Sequence, residues 1–480
     1  MTQTVPLVVD LDGTLTPTDT LAESVIKLVK QSPLNLLRMP LWLLRGRSHF
    51  KDAVAQQAGI SAPYLPYNEA LVTYLHEQKA SGRRIVLATA AHHSIADAVS
   101  RHLGLFDQVI ATTPGSNLKG KAKLQAIEQS IGRDFVYAGD SRADLPIWQA
   151  STAAILVGVG AKTEARVRRA TAVEKSFPRE RVGPGTWVRA LRVHQWLKNL
   201  LLFVPLLTAF SFFDPAKLGT MLLAFAAFSL AASATYIVND LWDLESDRAH
   251  LRKRFRPFAR ARLSIANGLA AATCLLGIAL ILARALPAGF FFILLFYVLL
   301  TSAYSWILKR YVLIDVLMLS LLYTLRILAG SLAVGITVSS WLMAFSVFIF
   351  LSLALIKRCA ELVSHEQKGV TNPKGRDYRI SDLEVLWPLG VGAALASIVV
   401  FGLFINAPET QGSYATPQLL WLVAMGLIYW LARLWIKTSR GEMHDDPVIF
   451  AAKDRGSLLT VLGMIAVILS AHYWALPFKM

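Results

Sequence analysis

From about residue 195 onward the chain alternates apolar runs of membrane-spanning length with short polar segments. A helix that crosses the ~30 Å hydrocarbon layer takes about 20 residues and satisfies its backbone hydrogen bonds internally. That demand leaves a helical membrane domain as the fold of this part. Runs near 196–213, 217–238, 263–284, 287–307, 311–335, 338–356, 385–406, 417–436 and 458–477 predict about nine spans. They set the 54% hydrophobic content of the 480 residues and the mean hydropathy of +0.46. Residues up to about 185 instead mix charge and apolar residues as a globular domain does. Basic residues gather in alternate polar segments: Arg179 to Arg192, Arg248 to Arg262, Lys309 and Arg310, Lys357 to Arg379, and Lys437 to Arg455. An excess of Lys and Arg marks the cytoplasmic side. The expectation is a protein of the cytoplasmic (inner) membrane, with the N-terminal domain and the basic loops in the cytoplasm. The same distribution accounts for the net charge of +17 without a nucleic-acid partner. The start MTQTVPLVVDLDGT has no basic-then-apolar signal segment. Cys274 and Cys359 suggest neither a disulfide framework nor a zinc site.

The stretch VPLVVDLDGTLTPTDT begins as a buried parallel strand would, with Asp10 and Asp12 at its carboxyl end. RRIVLATAA, FDQVIATTP and DFVYAGDSRAD read the same way, separated by helical stretches. This alternation predicts an α/β doubly wound sheet with a site at the strand ends. The residues Asp10-x-Asp12-Gly13-Thr14, Thr89, Lys123 and Gly139-Asp140-Ser141-x-x-Asp144 resemble the ordered motifs of the haloacid dehalogenase superfamily of phosphohydrolases, over about residues 5–160. Lys119 is an alternative to Lys123. The resemblance implies that Asp10 is a nucleophile forming an acyl phosphate and that Asp12 is the general acid and base. It implies that Asp10, Asp140 and the backbone carbonyl of Asp12 hold Mg²⁺, with Asp144 supporting or binding it, and that Thr89 and Lys123 hold phosphate. Residues 15–80 resemble the superfamily's inserted helical cap. Within it MPLWLLRGRSHF is read as a buried cap helix, the alternative being a helix on the membrane surface. His92 and His93 are expected near substrate rather than as metal ligands. The competing reading is a degenerate domain kept as a scaffold.

Asn239, Asp240, Asp243 and Asp247 form N-D-x-x-D-x-x-x-D where the run 217–238 meets water. Helical steps of three and four place the three carboxylates on one face over two turns. They repel one another unless a cation joins them, and Mg²⁺ characteristically takes a few carboxylates plus substrate phosphates. Arg252, Lys253, Arg254 and Arg256 follow and suit phosphate oxygens. The cluster thus points to a diphosphate compound reacting at a membrane surface.

About nine spans with this cluster, continued by Asp247-Arg248-x-His250-x-x-Lys253-x-x-Arg256-Pro257, resemble the UbiA-type intramembrane prenyltransferases over about residues 188–478. Most members carry a second aspartate-rich motif after the sixth span. Here Lys357, Arg358 and Glu361 stand in that region, with Tyr378 further on. LRVHQWLKNLLLFVPLL, KRCAEL and HDDPVIFAAKDR resemble the decaprenyl-phosphate phosphoribosyltransferase branch. The resemblance implies phosphoribosyl pyrophosphate as donor and a polyprenyl phosphate as acceptor. Asn239, Asp240, Asp243 and Asp247 would serve Mg²⁺ and the departing pyrophosphate. Lys198, Lys253 and Arg256 would contact phosphate, and Lys357, Arg358 and Tyr378 the ribose phosphate or lipid phosphate. Asp445, Asp446 and Asp454 lie in a matching loop to which no role is given.

Asp315 and Arg326 fall in one predicted span, eleven residues apart and so on one face. Arg326 is read equally as cavity-lining or structural, and Asp315 as structural or at the membrane border. The expected division is a phosphatase domain over 1–180, a basic linker over 181–195 and the membrane transferase over 196–480. A phosphatase fused to a phosphoribosyl transferase would remove the 5-phosphate from its product. The alternatives are prenyl transfer to an aromatic acceptor on the same scaffold, and a transporter or lipid-binding module with a regulatory domain. Whether the chain forms a homo-oligomer is left open.

Overall fold

The computed structural model describes residues 5–113, 118–250, 252–367, 377–443 and 446–475. In chain order, its first part contains β1 (Leu7–Val9), α1 (Thr20–Gln31), α2 (Asn35–Leu44), α3 (Arg47–Ala58), α4 (Glu69–Ala80), β2 (Ile85–His92), α5 (His93–Leu103), β3 (Gln108–Thr112), α6 (Lys121–Ile131), β4 (Val136–Gly139), α7 (Leu145–Ala150), β5 (Ala153–Val157), α8 (Ala161–Ala170), β6 (Val173–Phe177) and α9 (Pro184–Ala190). There follow α10 (Val204–Thr208), α11 (Pro215–Trp242), α12 (Leu244–Ala249), α13 (Ile265–Arg284), α14 (Ala288–Trp306), α15 (Ile314–Val334), α16 (Ser340–Glu366), α17 (Leu383–Ile405), α18 (Pro408–Ser413), α19 (Leu420–Ser439), α20 (Pro447–Ala451) and α21 (Arg455–Tyr473). The chain forms two compact units, one of residues 1–191 with 236–272 and one of 192–235 with 273–480.

In the first unit the six strands make a parallel sheet in the order β3-β2-β1-β4-β5-β6. Four were expected; β5 and β6 were not. Alternate side chains serve opposite faces: Leu7, Val9, Ile85 and Leu87 join one buried cluster, and Val8, Val86 and Ala88 another. Both faces are therefore covered, which explains the nearly unbroken apolar reading of these strands. The chain winds outward in both directions from β1, so the crevice at the carboxyl ends of β1 and β4 is the switch point where doubly wound sheets place their sites.

Residues 15–80 fold as helices, as expected of a cap. Asp19 caps α1 by accepting from the Ala22 N–H at 2.9 Å. Leu28, Val54 and Ala58 make a small core, against which Trp42 of α2 packs. The expectation of a buried α2 is overturned. Leu36, Leu37, Leu41, Leu43 and Leu44 are all more than half exposed. The cap core takes only one side of a helix that is apolar nearly all round.

Among the described residues, eight helices are long and apolar enough to cross a membrane: α11, α13, α14, α15, α16, α17, α19 and α21. The run 196–213 does not add a ninth long helix. It forms a 3₁₀ helix over Val193–Phe203 and then the short α10. Its Asn199 is buried, donating to Ser229 Oγ at 3.0 Å and accepting from Arg326 Nε at 3.0 Å. Such polar anchoring inside an apolar run pins the segment in place. A Cβ on Gly330 would stand 1.9 Å from the Leu202 carbonyl oxygen, so only glycine lets α15 meet this segment. In the second unit Leu355, Ile356, Leu386, Leu431 and Leu434 belong to one buried cluster. Ile281, Phe292, Leu299, Met425 and Leu459 point outward, as side chains meeting lipid do.

Candidate functional site

At the end of β1 the Asp10 N–H donates to the Ala138 carbonyl at 3.0 Å, fixing the carboxylate at the crevice. Lys123 Nζ, brought in by α6, lies 3.0 Å from Asp10 Oδ1. It also donates to the Tyr137 hydroxyl at 2.9 Å, which donates to Asp144 Oδ1 at 3.0 Å. Asp144 Oδ2 accepts from Ser141 N and Oγ, each at 3.1 Å. Asp10, Asp140 and Asp144 each offer a carboxylate oxygen, all within 4.8 Å of one another. Gly13 adopts φ +80°, and a Cβ there would stand 2.2 Å from Asp140 Oδ2. Thr89 is fully buried within β2, its Oγ1 accepting from Ala91 N at 3.0 Å.

The electrostatics follow from this crowding. Burial pushes Asp140 up to about 7, reinforced by Asp144 and Asp10. Burial also raises Asp10, against the pull of Lys123. Asp12 is pushed by burial up to about 7, although the Thr20 N–H donates to it at 2.8 Å. Three carboxyl groups compete for one lysine, and an all-oxygen set of this kind fits a small divalent cation.

Beside Asp12 opens a cavity of about 250 Å³, lined by Asp19, Thr20 and Ser24, by Lys51 of α3, and by His92 and Lys119. Thus Lys123 meets Asp10 while Lys119 faces the cavity. His92 Nε2 lies 3.2 Å from Asp52, and burial lowers its pKa, as does neighbouring His93. Sequence reasoning missed Tyr137 and Lys51. Tyr137 stands in an apolar strand, and only the register of β4 against β1 brings its hydroxyl to the site. Lys51 carries no motif; the placement of the cap alone brings it here.

The acidic segment departs from one continuous helix. α11 stops at Trp242, and Asp243, at φ −98° and ψ 12°, begins α12. Asp240 and Asp247 remain on a common face. Both are buried and meet at Arg256 Nη1, 3.2 Å from Asp240 and 2.6 Å from Asp247. Burial raises Asp247, opposed by Arg256. Asp243 turns away, its Oδ1 3.8 Å from Lys30 Nζ of α1. The expectation of three carboxylates on one face therefore holds for two, because the break at Asp243 rotates the third. Two buried carboxylates already converge on one cationic point, so the segment fits a cation. Asn239 is half-buried, its carbonyl accepting from Asp243 N at 3.0 Å, and Lys253 is exposed.

In the second unit, Lys198 Nζ lies 2.7 Å and Lys357 Nζ 3.3 Å from Asp446 Oδ2. Burial works to raise the Asp446 carboxyl, but the two lysines outweigh it and hold it well below the usual carboxylate range. Asp446 also caps α20, accepting from Val448 N at 3.3 Å. Asp445 lies outside the described residues. Asp454 caps α21 and pairs with Arg433 at 3.2 Å, which gives it a structural part. Arg358 is buried against Asp315 at 2.5 Å, pairs with Glu361, and lies over the Tyr378 ring. Tyr378 is itself buried, its hydroxyl accepting from Leu313 N at 3.0 Å. Arg326 is held by Asn199 and by the Tyr297 hydroxyl at 3.1 Å. Asp315 and Arg326, expected on one face, thus have separate partners.

The sequence profile of the UbiA prenyltransferase family matches residues 200–444, and that of the haloacid dehalogenase-like hydrolases matches residues 7–149. The chain is 41% identical to "Uncharacterized protein y4nM" of Sinorhizobium fredii, across 94% of this chain and 88% of that protein. It is 37% identical to "Nodulation protein NoeC" of Azorhizobium caulinodans, across 58% and 91%. It is 30% identical to the decaprenyl-phosphate phosphoribosyltransferase of Mycolicibacterium smegmatis, across 60% and 92%. With its eight membrane-crossing helices and its carboxylate-bearing parallel sheet, the chain belongs to the UbiA prenyltransferase family, as an integral membrane enzyme that also carries a haloacid dehalogenase-like hydrolase domain.

Proposed function

We propose that the membrane domain transfers a 5-phosphoribosyl group from phosphoribosyl pyrophosphate to a polyprenyl phosphate. The N-terminal domain then removes the 5-phosphate to leave polyprenyl-phosphoryl-ribose. The observation that carries this reading is the convergence of Lys198 and Lys357 on one anion, Asp446. Two ammonium groups around a single carboxylate suit phosphate oxygens, and as a set separate from the acidic segment they suit a second phosphate that an aromatic acceptor lacks. Relatives named as decaprenyl-phosphate phosphoribosyltransferases align with this part of the chain.

Asp240 and Asp247, with Asn239 beside them, would hold Mg²⁺, Asp243 stays with Lys30, and Lys253 and Arg256 contact phosphate. Lys198 and Lys357 take phosphate oxygens, whereas Arg358 and Tyr378, expected on the ribose or lipid phosphate, are buried on Asp315, Glu361 and Leu313 and so hold α16 in place instead. When bound, Mg²⁺ stabilises the charge of the departing pyrophosphate. The lipid phosphate is already anionic and needs no general base, so holding it near C1 of the ribose supplies much of the rate. In the N-terminal domain Asp10 attacks phosphorus and the leaving oxygen takes a proton from Asp12. Asp12 then accepts a proton from water, which hydrolyses the acyl phosphate and restores Asp10. With its carboxyl near 7, Asp12 keeps a proton close to neutrality and can give it. Lys123 and Thr89 hold phosphate oxygens, and Asp10, Asp140, Asp144 and the Asp12 carbonyl would hold Mg²⁺. We assign 1–180 to the phosphatase, 181–195 to the linker and 196–480 to the transferase. The N-terminal domain and basic loops face the cytoplasm from the inner membrane.

The test gives purified protein Mg²⁺, labelled phosphoribosyl pyrophosphate and a polyprenyl phosphate, and follows label into the lipid phase. Wild type should yield lipid-linked ribose, and Asp10→Asn its 5-phosphate. No labelled lipid from either protein would overturn the phosphoribosyl reading and turn attention to prenyl diphosphates with aromatic acceptors.

A further inference from the structure

We infer that α2 of the hydrolase cap is an in-plane membrane helix, seated in the headgroup–acyl boundary of the bilayer. The first support is its outward face. Leu37, Leu41 and Leu44, at steps of four and three, are 74%, 60% and 84% exposed, and Leu34, Leu36 and Leu43 flank them. Trp42 already packs on the cap core, so the inward side has its partners, while among the described residues nothing covers the outward leucines. A contiguous exposed patch of large aliphatic side chains marks a surface that meets another apolar phase.

The second support is position, read within one compact unit. α1 lies along the acidic segment as a ladder of ion pairs running in opposite chain directions. Glu23 meets Arg248 at 2.7 Å, Lys27 meets Glu245 at 3.4 Å, and Lys30 meets Asp243 at 3.8 Å. Lys30 Nζ also donates to the carbonyl of Trp242, the last residue of the spanning helix α11, at 3.1 Å. Moving along α1 from Glu23 to Lys30 therefore moves toward the membrane end of α11. α2 begins at Asn35, five residues beyond Lys30. Asn35 Nδ2 donates to the Leu28 carbonyl at 3.2 Å, so α2 starts beside this end of α1.

The third support is charge. Residues 32–51 contain no Asp or Glu, while Arg38 and Arg45 are exposed. Basic residues beside an apolar helix face suit anionic headgroups. At ten residues, α2 is about 15 Å long, too short to span and suited to lying flat. The occupant of this face is thus lipid. Anchored in this way, the cap helices α1 and α3, which line the cavity beside Asp12, are held at the membrane whatever phosphomonoester that site takes.

The test uses the full chain in a Cys274→Ala background, in nanodiscs containing anionic lipid. Spin labels are placed singly at Leu37→Cys, Leu41→Cys and Leu44→Cys, all exposed positions that do not disturb the core. Ile281→Cys, outward-facing on α13, serves as the lipid reference, and Gln129→Cys, exposed on α6, as the aqueous one. Accessibility to molecular oxygen is compared with accessibility to a water-soluble nickel chelate. The labels on α2 should give an oxygen-to-nickel ratio severalfold above Gln129 and approaching Ile281. A ratio matching Gln129 overturns the proposal. Shielding from both reagents overturns it as well, and assigns the face to a second copy of the chain. Activity toward a water-soluble phosphomonoester, measured on the same labelled proteins, establishes that the fold is intact in every arm.

Discussion

The carboxylate of Glu23 receives both terminal nitrogens of Arg248, each at 2.7 Å. The pair is mostly buried and bidentate, the geometry in which an ion pair contributes measurably. Glu23→Ala and Arg248→Ala should each destabilise the full chain. The double variant should lose less than their sum, with a coupling of about 0.5–3 kcal/mol. Thermal unfolding of the four proteins in detergent measures the cycle, and strict additivity would refute the pairing.

Lys123→Ala should cut phosphatase turnover about a hundred- to a thousandfold, the usual loss when a donor to the transition state is removed. Transfer to lipid should be unchanged, because the partners of Lys123, namely Asp10, Asp144 and Tyr137, belong to the sheet site. The two activities are measured side by side on one preparation. A parallel loss of both would show that the substitution unfolds the protein rather than disarming one site.

Without divalent cation the protein should lose stability as pH rises from about 4 to about 7. Asp12 and Asp140 have carboxyls raised by burial to about 7. Over this window the unfolded chain releases protons that the folded chain still holds, so the unfolded state binds fewer and unfolding becomes easier with rising pH. Melting temperatures in EDTA should therefore be higher at pH 5 than at pH 7.5. Millimolar Mg²⁺ should close part of the gap at pH 7.5, where Asp140 is relieved as a ligand. A melting temperature that climbs with pH in EDTA contradicts the assignment.

Lys198→Ala and Lys357→Ala should each lower kcat/KM for lipid transfer about ten- to a hundredfold, as the loss of one charge-assisted hydrogen bond of about 1.5–3 kcal/mol does. Lys437→Ala, which removes a pairing with Glu442 and a contact with the Phe450 ring, away from Asp446's carboxylate, should leave transfer unchanged. Steady-state kinetics with varied polyprenyl phosphate make the comparison. Equal effects at all three lysines would remove the reason for placing phosphate beside Lys198 and Lys357.

The sheet site was legible because Asp10 and Asp140 follow directly on strands whose unbroken apolar runs announce a buried parallel sheet. Asp10, Lys123, Asp140 and Asp144 all come together as their order implies. β6 was not legible, since its Glu174 and Lys175 break the apolar pattern and sheet pairing alone defines it. The acidic segment was legible in composition but not in shape. Spacing places Asp240, Asp243 and Asp247 on one helix face, and only the break at Asp243 shows that one carboxylate answers Lys30 instead. The run 196–213 looked like a span because hydropathy counts Asn199 as one polar residue among many apolar ones. Its hydrogen bonds to Ser229 and Arg326 come from residues 30 and 127 positions away. Lys198, Lys357 and Asp446 were visible singly, and nothing in their spacing foretold that two lysines share one carboxylate.

Asp315 and Arg358, almost without solvent contact, constrain how this chain can change. Losing Arg358 strands the Asp315 carboxylate in an apolar interior at a cost of about 3–5 kcal/mol, and losing Asp315 leaves Arg358 to the partly exposed Glu361, whereas exchanging both for apolar side chains of similar volume is often neutral. Two viable sequences are thus separated by a valley that no single substitution crosses. A library built one residue at a time will score both positions as immutable, and only paired libraries will find the way across.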